Sequence, residues 1–289
     1  MRNSLLLAVF LNAMFSWAQP SQSSLAYLGN QYLNESSDSL RQVYAQQFED
    51  SLWAYLAVAD HYGKALPMVK NLSVKMPKDK KFALYSWVVP KSNGEFDVKG
   101  ILWVPHWKQP KIVLEDIGME GAAYQWPKNG RWVGALCFDI QTVKHKRKTT
   151  YMIFGFRPGR TYHHKIVDAL VLGNSAKTTH FGAKVFNVRQ HGDMVYERPP
   201  FRLVFAYGTQ YTAAVRFDPQ HNGIITDHLV PSKPSLKGYW FAYGPDFTYD
   251  RFYWKKGKWH ITTNYPLVKE VDKLPVNPSV PTTLSPGGQ

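Results

Sequence analysis

Residues 81–104 read KFALYSWVVPKSNGEFDVKGILWV. Two runs rich in aromatic and β-branched residues flank Ser92-Asn93-Gly94, and Asn-Gly between such runs marks a tight hairpin. Those side chains fit the pleated, half-buried surface of a sheet better than they fit a helix. Residues 81–89 and 95–104 are therefore predicted to pair as antiparallel strands.

Outward from this unit the two-residue period persists to residue 262. Further strands are predicted at 69–76, 111–115, 132–143, 149–156, 165–172, 180–188 and 201–207. The series continues at 213–218, 223–228, 239–243, 248–254 and 259–262. Gln220-His221-Asn222-Gly223 and Lys255-Lys256-Gly257-Lys258 carry two more hairpin signals. Short strands about ten residues apart, with turns between them, point to an antiparallel sandwich, barrel or propeller. The strand–helix alternation of a parallel sheet is missing. No repeat of about 40 residues, the length of a propeller blade, can be aligned.

N-terminal to the strands the period changes. Leu40, Tyr44, Phe48, Tyr55, Ala59 and Tyr62 fall on one stripe at helical spacing, which predicts a single amphipathic helix over 38–62. Ser36 or Ser37 is placed to cap it, and Gly63 followed by Pro67 to end it. Trp53 lies on the opposite, polar side.

The ends of the chain read differently. Residues 1–18, MRNSLLLAVFLNAMFSWA, place Arg2 before an apolar run and small residues at Ser16 and Ala18. That is the anatomy of a signal peptide, and the run is shorter than the roughly 20 residues of a membrane span. No cysteine follows it for lipid attachment. Residues 264–289 carry Pro266, Pro275, Pro278, Pro281 and Pro286, a density that blocks helix and ladder alike. The expected organisation is a signal peptide at 1–18, a helical segment at 19–63, a β domain at 64–263 and an irregular tail.

Hydrophobic residues make up 44% of the 289 and charged residues 19%, which excludes global disorder and a coiled coil. Lysine and arginine number 35 against 21 acids, a net charge of +14. A basic exported protein meets anionic glycans, lipid headgroups or acidic proteins; export argues against nucleic acid. Cys137 is the one cysteine, so no internal disulfide is available, and a buried, inert thiol is expected.

Several stretches resemble a family of exported Bacteroidota proteins. They are DSLRQVYAQQFEDSL, KFALYSWVVPKSNGEFDVKGIL, WVGALCFDIQTV, TTYMIFGF, KIVDALVL, IITDHLVPSKPSLKGYWFAYGPDFTYD and KKGKWH. The resemblance implies export and architecture, with no activity and no catalytic residues to carry over. It places a Trp-Asp-Gly-Asn type of loop where this chain has Gly155-Phe156-Arg157-Pro158-Gly159-Arg160, so bases replace acids there.

Chemical motifs are sparse. GNSAKTT at Gly173 fails as a phosphate loop, because Ala176 and Val171 stand where glycines are required before the lysine. No zinc spacing, HExxH or Gly-x-Ser-x-Gly elbow is present, and neither a metal nor a cofactor is expected. Three sets of residues remain. Glu115, Asp116 and Glu120 offer paired carboxylates of the kind that run glycosidic chemistry. The basic run Lys144, His145, Lys146, Arg147 and Lys148 offers an anion contact at a hairpin tip. Asp227 and His228, with Tyr243, Asp246, Tyr249 and Asp250, gather near two stiffened turns. Asp227 cannot orient His228 directly, because strand neighbours face opposite sides. Two functions follow as expectations. The first is a non-catalytic binding or scaffolding protein of the periplasm or outer-membrane periphery. The second is an envelope or dietary glycan hydrolase.

Overall fold

The computed structural model describes residues 20–267. Residues 1–18, read as a signal peptide, lie outside this range, as does most of the proline-rich tail. The described chain is mainly β, with sixteen strands in four sheets and two α-helices, and the sheets do not close into a barrel. Of the architectures left open by the sequence, it is a layered sandwich.

The first sheet is a meander of β1 (Leu72–Lys75), β2 (Ala83–Pro90), β3 (Phe96–Trp103) and β4 (Lys111–Asp116), joined at its edge by β5 (Arg131–Trp132). The predicted 81–104 hairpin is its centre: Ala83 pairs with Trp103 and Pro90 with Phe96. The second sheet holds β6 (Leu136–His145), β7 (Lys148–Arg157), β8 (Tyr162–Val171) and the short β9 (His180–Phe181). After a two-stranded ladder of β10 (Gln190–His191) and β11 (Met194–Val195), β12 (Leu203–Gly208) completes it beside β8. The third is a meander of β13 (Val215–Asp218), β14 (Gly223–Pro231), β15 (Tyr243–Lys255) and β16 (Lys258–Thr262).

Strand alternation sets the layers, because successive side chains leave opposite faces. Ala83, Tyr85, Trp87 and Val89 of β2 pack on the helices, while Phe82, Leu84 and Val88 pack on the second sheet. In β7, Tyr151 and Ile153 meet the first sheet, and Met152 and Phe154 meet the third. Both strands are apolar on both faces because both are interior layers. The order is helices, first sheet, second sheet, third sheet. Cys137 is buried between the first two sheets, and burial pushes its thiol up, away from the reactive thiolate.

The helical region departs from expectation in three ways. A second helix, α1 (Gln22–Asn34), precedes the predicted one, and α2 (Asp38–Tyr55) stops well short of residue 62. The buried face of α2 runs through Arg41, Ala45, Phe48, Leu52 and Tyr55, so Leu40 points to solvent at 51% exposure. Arg41 sits inward because its guanidinium bonds to Asp38 and to the carbonyl of Glu35. Trp53 is partly exposed under the Lys111 ammonium, 4.9 Å from the ring centre.

Two predicted strands also fail. Residues 180–188 form a strand only at β9, with one isolated bridge from Phe186 to Trp259, and most of 239–243 is a single 3-10 turn, Trp240–Ala242. Its rings diverge: Tyr239 and Phe241 are exposed and Tyr243 is buried, so these three do not fill a sheet core together.

Candidate functional site

Three hairpins and loops reach the same end of the sandwich. The β6–β7 turn brings His145 to Lys148, and the β15–β16 turn brings Lys256 to Lys258. The loop after β8 brings Gly173 and Asn174. Between them lies a cleft of about 1000 Å³. Lys81, at the entry to β2, and His106, just after β3, close it from the side of the first sheet.

The two tips are fitted to each other. Gly257 has φ +79°, a left-handed conformation that glycine adopts without steric cost. A Cβ there would stand 2.6 Å from the His145 ring, so the turn and the close approach both require glycine. Trp254 Nε1 donates to the Lys144 carbonyl at 3.4 Å, and its ring packs against Trp259 at 5.3 Å. On the β8 side, Trp107 Nε1 donates to the Gly173 carbonyl, and Thr179 Oγ1 accepts from the Gly173 amide, both at 2.9 Å. The GNSAKTT stretch is thus a pinned loop on the cleft wall.

The lining is of one sign. Among the described residues Lys81, Arg147, Lys148, Lys184, Lys256 and Lys258 line the cleft, and no carboxylate does. His106, His145 and His180 join them. Burial holds His180 below the usual imidazole range, and its Nδ1 stands between the Trp126 indole N–H and the Gly182 carbonyl, which lies 2.9 Å away. Trp126, Tyr151, Phe201 and Trp254 supply rings, and Trp126 is 49% exposed. The Tyr151 hydroxyl donates to Asp79 at 2.9 Å, and its pKa is raised, first by burial and then by that carboxylate. Such a space attracts anions by its field and offers flat faces for stacking.

Of the sequence-predicted basic run, His145, Arg147 and Lys148 line this cleft, and Lys144 fixes its edge through the carbonyl. Lys146 stands at the turn with φ +53° and is exposed. The lysines of the β15–β16 tip were read only as a turn signal, although their density, Lys255-Lys256-Gly257-Lys258, is as high as that of the run singled out.

The set around Asp227 is held in structural bonds, and none of its residues lines the cleft. Asp227 Oδ2 accepts from the Ala214 amide at 2.8 Å, and burial raises its pKa. His228 lies at a bulge in the β14–β15 ladder, and its Nδ1 is 3.0 Å from Asp250 Oδ2. Asp250 also accepts from the Asn264 amide at 3.2 Å, while the Tyr249 carbonyl accepts from Tyr265, so both pin the chain after β16. Asp246 closes a turn onto Thr248, and Tyr243 donates to Asp193 at 3.0 Å.

The acidic set does not converge either. Asp116 accepts from the amides of Gly118 and Gly134 and pairs with Arg157 at 2.8 Å. Arg157, in the 155–160 loop, is thus a structural partner. Glu115 is exposed beside Arg131, and Glu120 lines a separate hollow of about 370 Å³ with no second carboxylate. Among the described residues no group of side chains is arranged to hold a metal ion, and no helix is long and apolar enough to cross a membrane.

No family model, curated protein or solved structure matches this chain.

Proposed function

We propose that this is an exported binding protein that holds an anionic component of the cell envelope in the basic cleft without turning it over. One observation carries the reading: among the described residues six cationic side chains and no carboxylate line a space of about 1000 Å³. Like charges gathered round a cleft repel one another unless a ligand supplies the opposite sign, so their gathering has a stability cost that an anion offsets. Export rests on the signal-peptide pattern of residues 1–18, and the reading as a binding protein on the separated, bonded carboxylates.

The test is charge reversal with a control of equal net change. Arg147→Glu, Lys256→Glu and Lys258→Glu are combined, and Lys64→Glu, Lys70→Glu and Lys233→Glu form the control on exposed lysines outside the cleft lining. Binding to soluble polyanions is followed by calorimetry in rising salt. The cleft variant is expected to lose about tenfold or more in affinity, which is ~1.4 kcal/mol or more, and the control much less. Equal losses in both would mean that net charge alone drives capture. Release of smaller products from any polyanion would replace capture with hydrolysis.

A further inference from the structure

Resting on the capture of anions just proposed, we infer that the cleft takes an acidic oligosaccharide, several sugar rings at a time, rather than an isolated phosphate or a lipid headgroup. The cations come from four separate segments: Lys81, then Arg147 with Lys148, then Lys184, then Lys256 with Lys258. They enter the cleft from different elements: the start of β2, the β6–β7 tip, the loop after β9 and the β15–β16 tip, where Lys258 Nζ donates to the Lys184 carbonyl. A single phosphate is bound by convergent donors, usually a helix N-terminus or a nest of backbone amides. None of the cleft-lining residues lies in a helix, since the lining is built from strand ends, turns and loops. Spaced cations match spaced anions, as in a chain carrying one carboxylate or sulfate per sugar.

The type of cation agrees. Five of the six are lysines, and Arg147 alone offers a planar fork. Arginine forks select phosphate and carboxylate geometry in bidentate fashion, whereas lysines act as mobile point charges that follow a flexible chain.

The rings set the rest of the chemistry. Trp126 lies at the His180–Phe201 wall, with its ring 4.8 Å from His180 and 6.1 Å from Phe201. Trp254 lies at the hairpin tips beside Lys256. Thr149 and Asn174 add neutral hydrogen-bonding groups to the lining. Indole faces cover the C–H faces of sugars, and hydroxyl and amide groups meet sugar hydroxyls. A headgroup alone uses the charges and leaves the rings idle. A pocket at the upper end of the range for small ligands, about 300–1,000 Å³, accommodates more than one ring.

The experiment measures affinity for six probes: galacturonate oligomers of two and six units, a sulfated hexasaccharide, inorganic phosphate, phosphatidylglycerol vesicles and an oligothymidylate. Each is titrated into the full mature chain and into Trp126→Ala, chosen because that ring is half exposed. Trp254→Phe is run beside it, since Trp254 also packs on Trp259. The inference expects one of the hexamers to bind at least about tenfold more tightly than the dimer, a step of ~1.4 kcal/mol. It also expects Trp126→Ala to weaken that hexamer about fivefold or more, within the range of one stacking contact, with the melting temperature unchanged. The galacturonate and sulfated hexamers together tell carboxylate from sulfate recognition. Binding of vesicles or oligothymidylate with neither hexamer bound overturns the oligosaccharide and leaves anion capture standing. Hexamer binding untouched by Trp126→Ala and Trp254→Phe also overturns it. Binding of none of the probes removes both readings.

Discussion

Arg202→Met is expected to be among the most damaging single substitutions in the described chain. The Arg202 side chain is 0% exposed and Asp168, its partner, 6%, with Nε 3.0 Å from Oδ2. That contact is an ion pair without a well-directed hydrogen bond, since neither atom has a bonded partner by geometry. The directed bonds lie around it. Arg202 Nη1 donates to the carbonyls of Ala122 and Gln125, and Asp168 Oδ1 accepts from Ala169 at 2.7 Å and Gly182 at 3.0 Å. Methionine fills a similar volume but leaves a buried carboxylate without its counter-charge, the Gln125 carbonyl without a donor and the Ala122 carbonyl with only the 3.4 Å bond from the Gln125 amide. Removing one partner of such a pair costs about 3–5 kcal/mol. That is a large part of a total stability of about 5–15 kcal/mol. At about 2–4 °C per kcal/mol for a domain of this size, the melting temperature should fall by roughly 6–20 °C.

The assay is urea unfolding followed by tryptophan fluorescence, with linear extrapolation to water. Arg202→Met/Asp168→Asn supplies the internal check. The asparagine keeps an acceptor for Gly182 and removes the stranded charge, so the double variant should recover about 1–2 kcal/mol over Arg202→Met. The clamp also holds the cleft wall, since Phe201 precedes Arg202, Ala183 follows Gly182 and His180 lies two residues before it. Loss of less than about 1 kcal/mol in Arg202→Met, or a double variant no more stable than the single, would refute the reasoning.

Two further outcomes are expected. Burial, with Arg157 and His163 adding repulsion, pushes His164 down to about 4, and burial with His228 nearby pushes His191 down to about 3. The unfolded chain takes up these protons near pH 6.5 and the folded chain does not, so stability is full above that pH and falls as pH drops toward 4 and 3. Urea unfolding at pH 7 and pH 5 should show a loss of roughly 1–2 kcal/mol per histidine, and His191→Gln should flatten the slope. Asp193, held low first by its bond to Lys237, contributes only to losses at more acid pH, below the ordinary carboxylate range. Asp227→Ala should cost about 1 kcal/mol through the lost bond to Ala214, and leave polyanion affinity unchanged in calorimetry. The opposite pattern, intact stability with lost affinity, would restore the Asp227 region as the site.

The sheets were legible because strand period is local. In 81–104 the turn residues, the β-branched runs and the observed register agree from Ala83–Trp103 to Pro90–Phe96. The order of layers was not legible, because β2 and β7 are apolar on both faces and so name no outer face. α1 was missed for a similar reason. Gly29 interrupts its pattern, yet the backbone passes there with Val69 and Phe48 3.7 and 3.8 Å from where a Cβ would stand. The signal was present at Ser21 and Ser24, whose side chains form a reciprocal capping box. In α2 the stripe was read one residue out of phase, since Leu40 looks inward by hydropathy and Arg41 does not. Only the bonds to Asp38 and Glu35 make Arg41 the better buried residue.

The site was half legible, and the missing half depends on strand length. A basic hairpin tip is ordinarily solvated, and charge there keeps strand ends from associating. Taken alone, 144–148 or 255–258 supports no more than that. The distinction arises from β6 and β7, ten residues each, and from β15, thirteen residues long, which carry both tips to one end of the sandwich. There Gly257 admits the His145 ring and Trp254 bonds across to Lys144. Two clusters that would repel in water are thereby fixed at the edge of one cleft, and that constraint separates a binding surface from two solvated tips. The Asp227 region, singled out in the sequence, is occupied in the converse way. Its residues do come together, as His228 with Asp250, but each acid there already has a backbone amide or an imidazole to bond. An acid so occupied holds a fold, whereas the cleft's lysines have charges to spare.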